Sequence, residues 1–235
     1  RGRESLEGWA RLLLTIQTGA AINRTLLAAG SAYLAEYAWF FTGVRPILAR
    51  PSLEPLLPPP DTNGTWFSGS CMKVVVVGRE MAFGPHDALP ALVVQMLGEA
   101  GFEAERVEPR EALTAGAVRA IVWIPFDDDA LLLSHLWSRG IPLFLPSLHL
   151  LASWETHLGL MADLRHWENA PRPASLRNQG GFHPADGSHE ALLHWLALLE
   201  WYRWPTETVM LFPSLDHVVS LLLSAPLEDI SRSAQ

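Results

Sequence analysis

The sequence predicts an α/β chain built on a doubly wound parallel sheet. Three observations carry that prediction. Strand-like and helix-like segments alternate through most of the 235 residues, the order that repeated β-α-β units produce. Two runs, Lys73–Val77 (KVVVV) and 120–124 (AIVWI), are apolar at every position after Lys73, as a parallel strand covered on both faces must be. Glycine or proline closes one segment after another, at Gly43, Pro51, Gly101 and Gly140.

In chain order, 5–17 places Leu6, Trp9, Leu13 and Ile16 at helical spacing. Residues 23–29 read as a short apolar strand. Ser31 caps a helix over 32–41 that stops at Gly43. A strand over 44–49 closes this first β-α-β unit. Residues 53–70 change character: Pro55, Pro58, Pro59 and Pro60 stiffen the first half, and Gly64 and Gly69 loosen the second. The implied organisation is the end of one lobe over 1–52, a linker over 53–72 and a second lobe over 73–235. In that lobe strands are expected at Lys73–Val77, 102–107, 120–124, 142–145 and Val209–Phe212. Helices are expected over 90–101, 109–115, 127–139, 147–160, 190–202, Leu215–Ser224 and 227–233, with a polar loop over 166–188.

Composition excludes several classes. The chain is 49% apolar and 18% charged, which is incompatible with a disordered polypeptide. Its net charge is −8 and its basic residues do not cluster, so no nucleic-acid partner is expected. No apolar run approaches the ~20 residues of a membrane span. The single cysteine, Cys71, excludes an internal disulfide and a cysteine metal cage. Lys73 is the only lysine beside sixteen arginines, a compositional habit. Arg1 opens the sequence without a Met or a signal-peptide pattern, as expected of a piece of a longer polypeptide. Asn23-Arg24-Thr25 and Asn63-Gly64-Thr65 are N-glycosylation triplets.

Ligands of an open α/β sheet bind beyond the carboxyl ends of its strands. That rule selects Gly78-Arg79-Glu80, Pro125-Phe126-Asp127 and Pro146-Ser147. Arg79 carries the planar fork of donors that suits a diphosphate, although G-R-E-M-A-F-G is neither a G-x-G-x-x-G turn nor a P-loop and also reads as an ordinary βα turn. Arg106, Arg110 and Arg119 are assigned to strand beginnings or outer helices. Asp127-Asp128-Asp129 could hold a divalent cation, or could cap the helix that follows. The nine histidines form no H-E-x-x-H pair; His183, His189 and His194 flank a loop. Trp195, Trp201 and Trp204 are assigned to one packed helix face, with a sugar-stacking platform as the other reading.

Three segments are similar to a group of glycosyltransferase-like proteins of eukaryotic, largely algal and protist, genomes: 23–52 (NRTLLAAGSAYLAEYAWFFTGVRPILARPS), 135–147 (HLWSRGIPLFLPS) and 201–230 (WYRWPTETVMLFPSLDHVVSLLLSAPLEDI). The group carries Y-F-T-G-[IV]-x-P-x-x-x-P-S, E-x-Y-x-x-G-I-P-L-F-x-P-S and W-P-x-x-x-x-F-x-S-x-x-x-L in these places. The last resembles the C-terminal part of two-lobed, GT-B-type glycosyltransferases. Ser134 and His135 stand where such families place a Glu that holds the donor ribose.

The resemblance implies a Rossmann-like, donor-side lobe that takes a nucleotide-sugar, with a glycan or protein acceptor and no metal or other cofactor. Its donor cleft would be lined by Gly78, Arg79, Glu80, Pro125, Phe126, Asp127, Pro146 and Ser147. With the two triplets at Asn23 and Asn63, it also implies a glycoprotein of the secretory pathway or Golgi lumen. The alternatives are a non-catalytic Rossmann-like binding module that has lost its donor, and a metal-dependent transferase using Asp127 and Asp129.

Overall fold

The computed structural model describes residues 2–22, 24–49, 71–78, 85–126, 130–161, 181–184, 186–205 and 208–234. In chain order the elements are α1 (Gly2–Ala21), β1 (Ala28–Ala29), α2 (Ala32–Thr42), β2 (Ile47–Leu48), β3 (Lys73–Val77), α3 (Pro85–Glu99), β4 (Glu103–Val107), β5 (Ala120–Trp123), α4 (Ala130–Ser138), β6 (Leu143–Pro146), α5 (Leu148–Leu158), α6 (His189–Leu196), β7 (Val209–Phe212), α7 (Leu215–Ser224) and α8 (Leu227–Ala234). Two compact units result. One comprises Arg1–Pro51 with Leu164–Glu200, the other Ser52–Asp163 with Trp201–Gln235.

In the first unit, β1 and β2 pair in parallel, Ala28 opposite Ile47 and Ala29 opposite Leu48. The expected β-α-β unit is present, with shorter strands. The first residues of the expected 23–29 strand go instead to closing α1, where Arg24 and Thr25 donate their N–H groups to the Gly19 carbonyl at 2.8 and 3.1 Å. The Ser31 hydroxyl accepts from Leu34 N–H at 3.2 Å, and Gly43 ends α2 at φ 71°, a conformation a Cβ would penalise. Along α2, Tyr33, Tyr37 and Phe40 surround Trp195 of α6, with ring centroids at 5.6, 6.0 and 6.2 Å. His183 meets the Phe40 ring edge-on at 5.2 Å. The sequence runs 164–200 on with the second lobe; in the structure α6 packs on α2. Residues 51–70, which hold most of the expected linker, lie outside the described residues.

In the second unit the described residues form a five-stranded sheet in the order β4-β3-β5-β6-β7, every neighbour parallel. This is the doubly wound α/β sheet the alternating segments predict. Burial follows position in the sheet. β5 and β6 are buried throughout and β3 at all but Lys73, whereas the edge strand β4 exposes Glu103 and Glu105. Lys73 closes the polar seam by an ion pair to Glu105 at 2.7 Å. α3 packs on β3 and β4, α7 on β7 and against α3, and α5 on β6.

Three expectations are corrected. A helix starting at Pro90 instead begins at Pro85, so Pro90 lies inside α3; it forgoes one intrahelical bond, and its buried ring lies against Gly78. The helix expected over 190–202 ends at Leu196, with a separate 3-10 turn at Glu200–Arg203. Trp195, Trp201 and Trp204 therefore share no helix face: Trp195 belongs to the first unit, while in the second Trp204 stacks on Trp137 at 5.2 Å.

Candidate functional site

The strand order fixes where a cleft can open. The chain leaves β3 toward β4 on one side and leaves β5 toward β6 on the other. The adjacent carboxyl ends of β3 and β5 are therefore the topological switch point, where connections diverge and ligands of such sheets bind.

Gly78 follows β3 at that point. Its N–H donates to the Val107 carbonyl at 3.4 Å, and on the other side Ile124 N–H donates to the Val77 carbonyl at 2.9 Å. Both ladders thus run one step past their strands. A Cβ on Gly78 would overlap Cγ of Pro90, so glycine here lets α3 approach the strand end closely. After β5, Pro125 and Phe126 are buried, and the Phe126 ring stacks on Trp123 at 6.1 Å with a 24° interplanar angle. This wall is apolar.

Pro146 and Ser147 lie one strand further along the same edge. The Tyr202 hydroxyl donates to the Pro146 carbonyl at 2.8 Å, and Ser147 N–H donates to the Phe212 carbonyl at 2.8 Å. The Ser147 hydroxyl caps α5 by accepting from Leu150 N–H at 3.3 Å. Tyr202 is half-buried, and desolvation of its phenol pushes the pKa well above the usual tyrosine range against a smaller opposing contribution from Trp201. It acts here as a neutral donor that holds the carboxyl end of β6.

Of the expected cleft residues, Gly78, Pro125, Phe126, Pro146 and Ser147 stand at this edge. Arg79, Glu80 and Asp127 lie outside the described residues, as do Asp128 and Asp129 and the two triplet asparagines, Asn23 and Asn63. Ser134 is half-buried and His135 is buried in α4, where the His135 carbonyl accepts from the Ser138 hydroxyl at 2.9 Å.

The assignment of Arg106 is corrected. It is the penultimate residue of β4, opposite Val76, and so stands near the carboxyl edge, where it pairs with Asp87 of α3 at 2.6 Å. The expected strand over 102–107 already ends at Val107, so this placement follows from the sequence itself. Arg119, by contrast, precedes β5 at the amino edge. Its guanidinium donates to the Leu222 carbonyl at 3.3 Å, beside a cavity of about 340 Å³ lined also by Pro226, Leu227, Glu228 and Asp229.

Among the described residues no three His, Cys, Asp or Glu side chains gather where a metal ion could be held, and no helix is long and apolar enough to cross a membrane. No protein-family model matches the chain, and neither a curated protein nor a solved structure does.

Proposed function

We propose that the second unit is the donor-side lobe of a GT-B-like glycosyltransferase, which takes a nucleotide-sugar at the carboxyl edge of its sheet and serves a glycan or protein acceptor. The observation that carries this reading is the switch point between β3 and β5, with Gly78 on one side and Phe126 on the other. The motif resemblance adds to it. In such a lobe, backbone N–H groups and basic side chains stabilise the leaving diphosphate, and no metal is required. The two glycosylation triplets fit a secretory or Golgi setting.

Arg79 follows Gly78 and is the basic side chain next in sequence to the switch point. Its test is calorimetric titration with nucleoside diphosphates and nucleotide-sugars. A charge-assisted contact contributes ~1.5–3 kcal/mol, so Arg79→Ala is expected to weaken diphosphate binding roughly ten- to a hundredfold. Unaltered affinity would remove Arg79 from the site. Manganese or magnesium titration is expected to give no micromolar site; one abolished by Asp127→Ala with Asp129→Ala would favour a metal-dependent transferase.

A second reading, a binding module without catalysis, is favoured by the commitments of the edge groups. The Ser147 hydroxyl caps a helix and the Pro146 carbonyl is bonded to Tyr202. Ser134 and His135 also replace the ribose-holding Glu of the resembling group. No detectable nucleotide binding by the folded chain would select this reading.

A further inference from the structure

The corner where α7 turns into α8 encloses space at the end of the strands opposite the switch point. A cavity of about 340 Å³ there is lined by Arg119, Ala225, Pro226, Leu227, Glu228 and Asp229. Arg119 immediately precedes β5, and its N–H donates to the carbonyl of Lys73, the first residue of β3, at 2.8 Å. The volume lies at the low end of small-ligand pockets, ~300–1,000 Å³, which suits a molecule smaller than a nucleotide.

The lining carries both signs of charge. The Arg119 guanidinium is held in place: it donates to the Leu222 carbonyl at 3.3 Å, and its centre stands 5.9 Å from the centroid of the Phe102 ring. A guanidinium has five N–H donors, so a bound carboxylate adds to such contacts rather than replacing them. The first turn of α8 brings two carboxylates, Glu228 and Asp229. Asp229 is paired with Arg232. The Glu228 carboxylate has no ion-pair partner among the described residues; Arg232 Nε donates to its backbone carbonyl instead, at 3.3 Å. Ala225, Pro226 and Leu227 supply the apolar part of the lining.

A ligand of one sign is opposed by part of this lining, an anion by Glu228 and Asp229 and a cation by Arg119. A ligand that carries both charges on a short frame is attracted by both. An apolar side chain on the same frame gains by covering Pro226 and Leu227. We propose that the cavity binds a free α-amino acid with an apolar side chain, its carboxylate on Arg119, its ammonium on Glu228 and its side chain against Pro226 and Leu227. A peptide terminus carries only one of the two charges and loses one of these contacts. The inference is independent of the nucleotide-binding reading.

The test follows backbone amide resonances of the isotope-labelled full chain as L-phenylalanine, L-leucine, 3-phenylpropionate and phenethylamine are titrated in. Both amino acids are expected to give saturable shifts at Arg119, Leu227 and Glu228. 3-Phenylpropionate lacks the ammonium and phenethylamine lacks the carboxylate. Each is expected to bind roughly tenfold or more weakly than L-phenylalanine, the loss of one charge-assisted contact. These ligands probe the contact with Arg119 without altering a residue that the fold uses. Glu228→Gln removes the other charge at an exposed position, and thermal melts report whether the variant is folded. It is expected to weaken L-phenylalanine binding by a similar factor and to leave 3-phenylpropionate unchanged. No saturable shift at these three amides with either amino acid overturns the inference. So does a single-charge analogue that binds as tightly as L-phenylalanine, or unaltered L-phenylalanine affinity in folded Glu228→Gln.

Discussion

Gly78 and Pro90 touch where β3 ends and α3 passes over it: a Cβ at position 78 would overlap Pro90 Cγ and stand 3.1 Å from its Cβ. The proline ring is rigid and buried within a helix, so it cannot swing aside. Gly78→Ala is therefore expected to cost ~1–3 kcal/mol, the range for overpacking a filled site. At this chain length that lowers Tm by about 2–4 °C per kcal/mol. Adding Pro90→Ala should return part of the loss, and strictly additive melting shifts would show that the two residues do not interact.

Tyr202 ties the 3-10 turn Glu200–Arg203 to the carboxyl end of β6 through the Pro146 carbonyl. Tyr202→Phe strands that carbonyl, at a cost of ~1–3 kcal/mol. The pH dependence has a defined sign. Burial raises the phenol's pKa in the folded chain, whereas the unfolded chain ionises near the usual ~10. The unfolded state thus loses its proton first. The stabilisation is fully present below pH ~10 and falls as pH rises above it. Melting curves from pH 8 to 11 should decline more steeply above pH 10 for the unaltered chain than for Tyr202→Phe; parallel curves would contradict the assignment.

Glu155 turns back on its own helix end. Its buried carboxylate accepts from Met161 N–H at 2.6 Å, while its carbonyl accepts from Gly159 N–H at 3.0 Å, with Gly159 at φ 64°. Glu155→Ala leaves the Met161 N–H without that acceptor and should cost ~1–3 kcal/mol. Glu155→Gln keeps an acceptor oxygen and should cost less. Equal losses in the two variants would place the contribution of Glu155 elsewhere.

Features that depend on neighbours in sequence were readable before any coordinates. The runs VVVV after Lys73 and AIVWI became β3 and β5 with every neighbour parallel. Ser31 with Gly43 brackets α2 as capping chemistry requires. What depended on distant partners was not readable. Pro90 looks like a helix start, because its place inside α3 is tolerated through a contact with Gly78 twelve positions earlier in the sequence. The place of Arg106 near the carboxyl edge is legible, because the expected strand over 102–107 ends one residue beyond it; its pairing with Asp87 of α3 is not, because Pro90 obscures where that helix starts. The contact of Trp195 with Tyr33 and Phe40 joins segments far apart in the chain, and no local periodicity encodes it. The edge positions Gly78, Pro125, Phe126, Pro146 and Ser147 were legible because strand ends alone define them; the commitment of Ser147 to a cap and of Pro146 to Tyr202 was not.

The most direct test of a nucleotide site at the switch point is to titrate uridine and guanosine diphosphates into the isotope-labelled chain and follow backbone amide resonances. The account predicts saturable shifts at Gly78 and Phe126, smaller ones at Ser147, and none at Arg119 or Leu227 on the amino edge. Shifts confined to Arg119 and Leu227, or no saturable shift at Gly78 and Phe126 with either nucleotide, would contradict it.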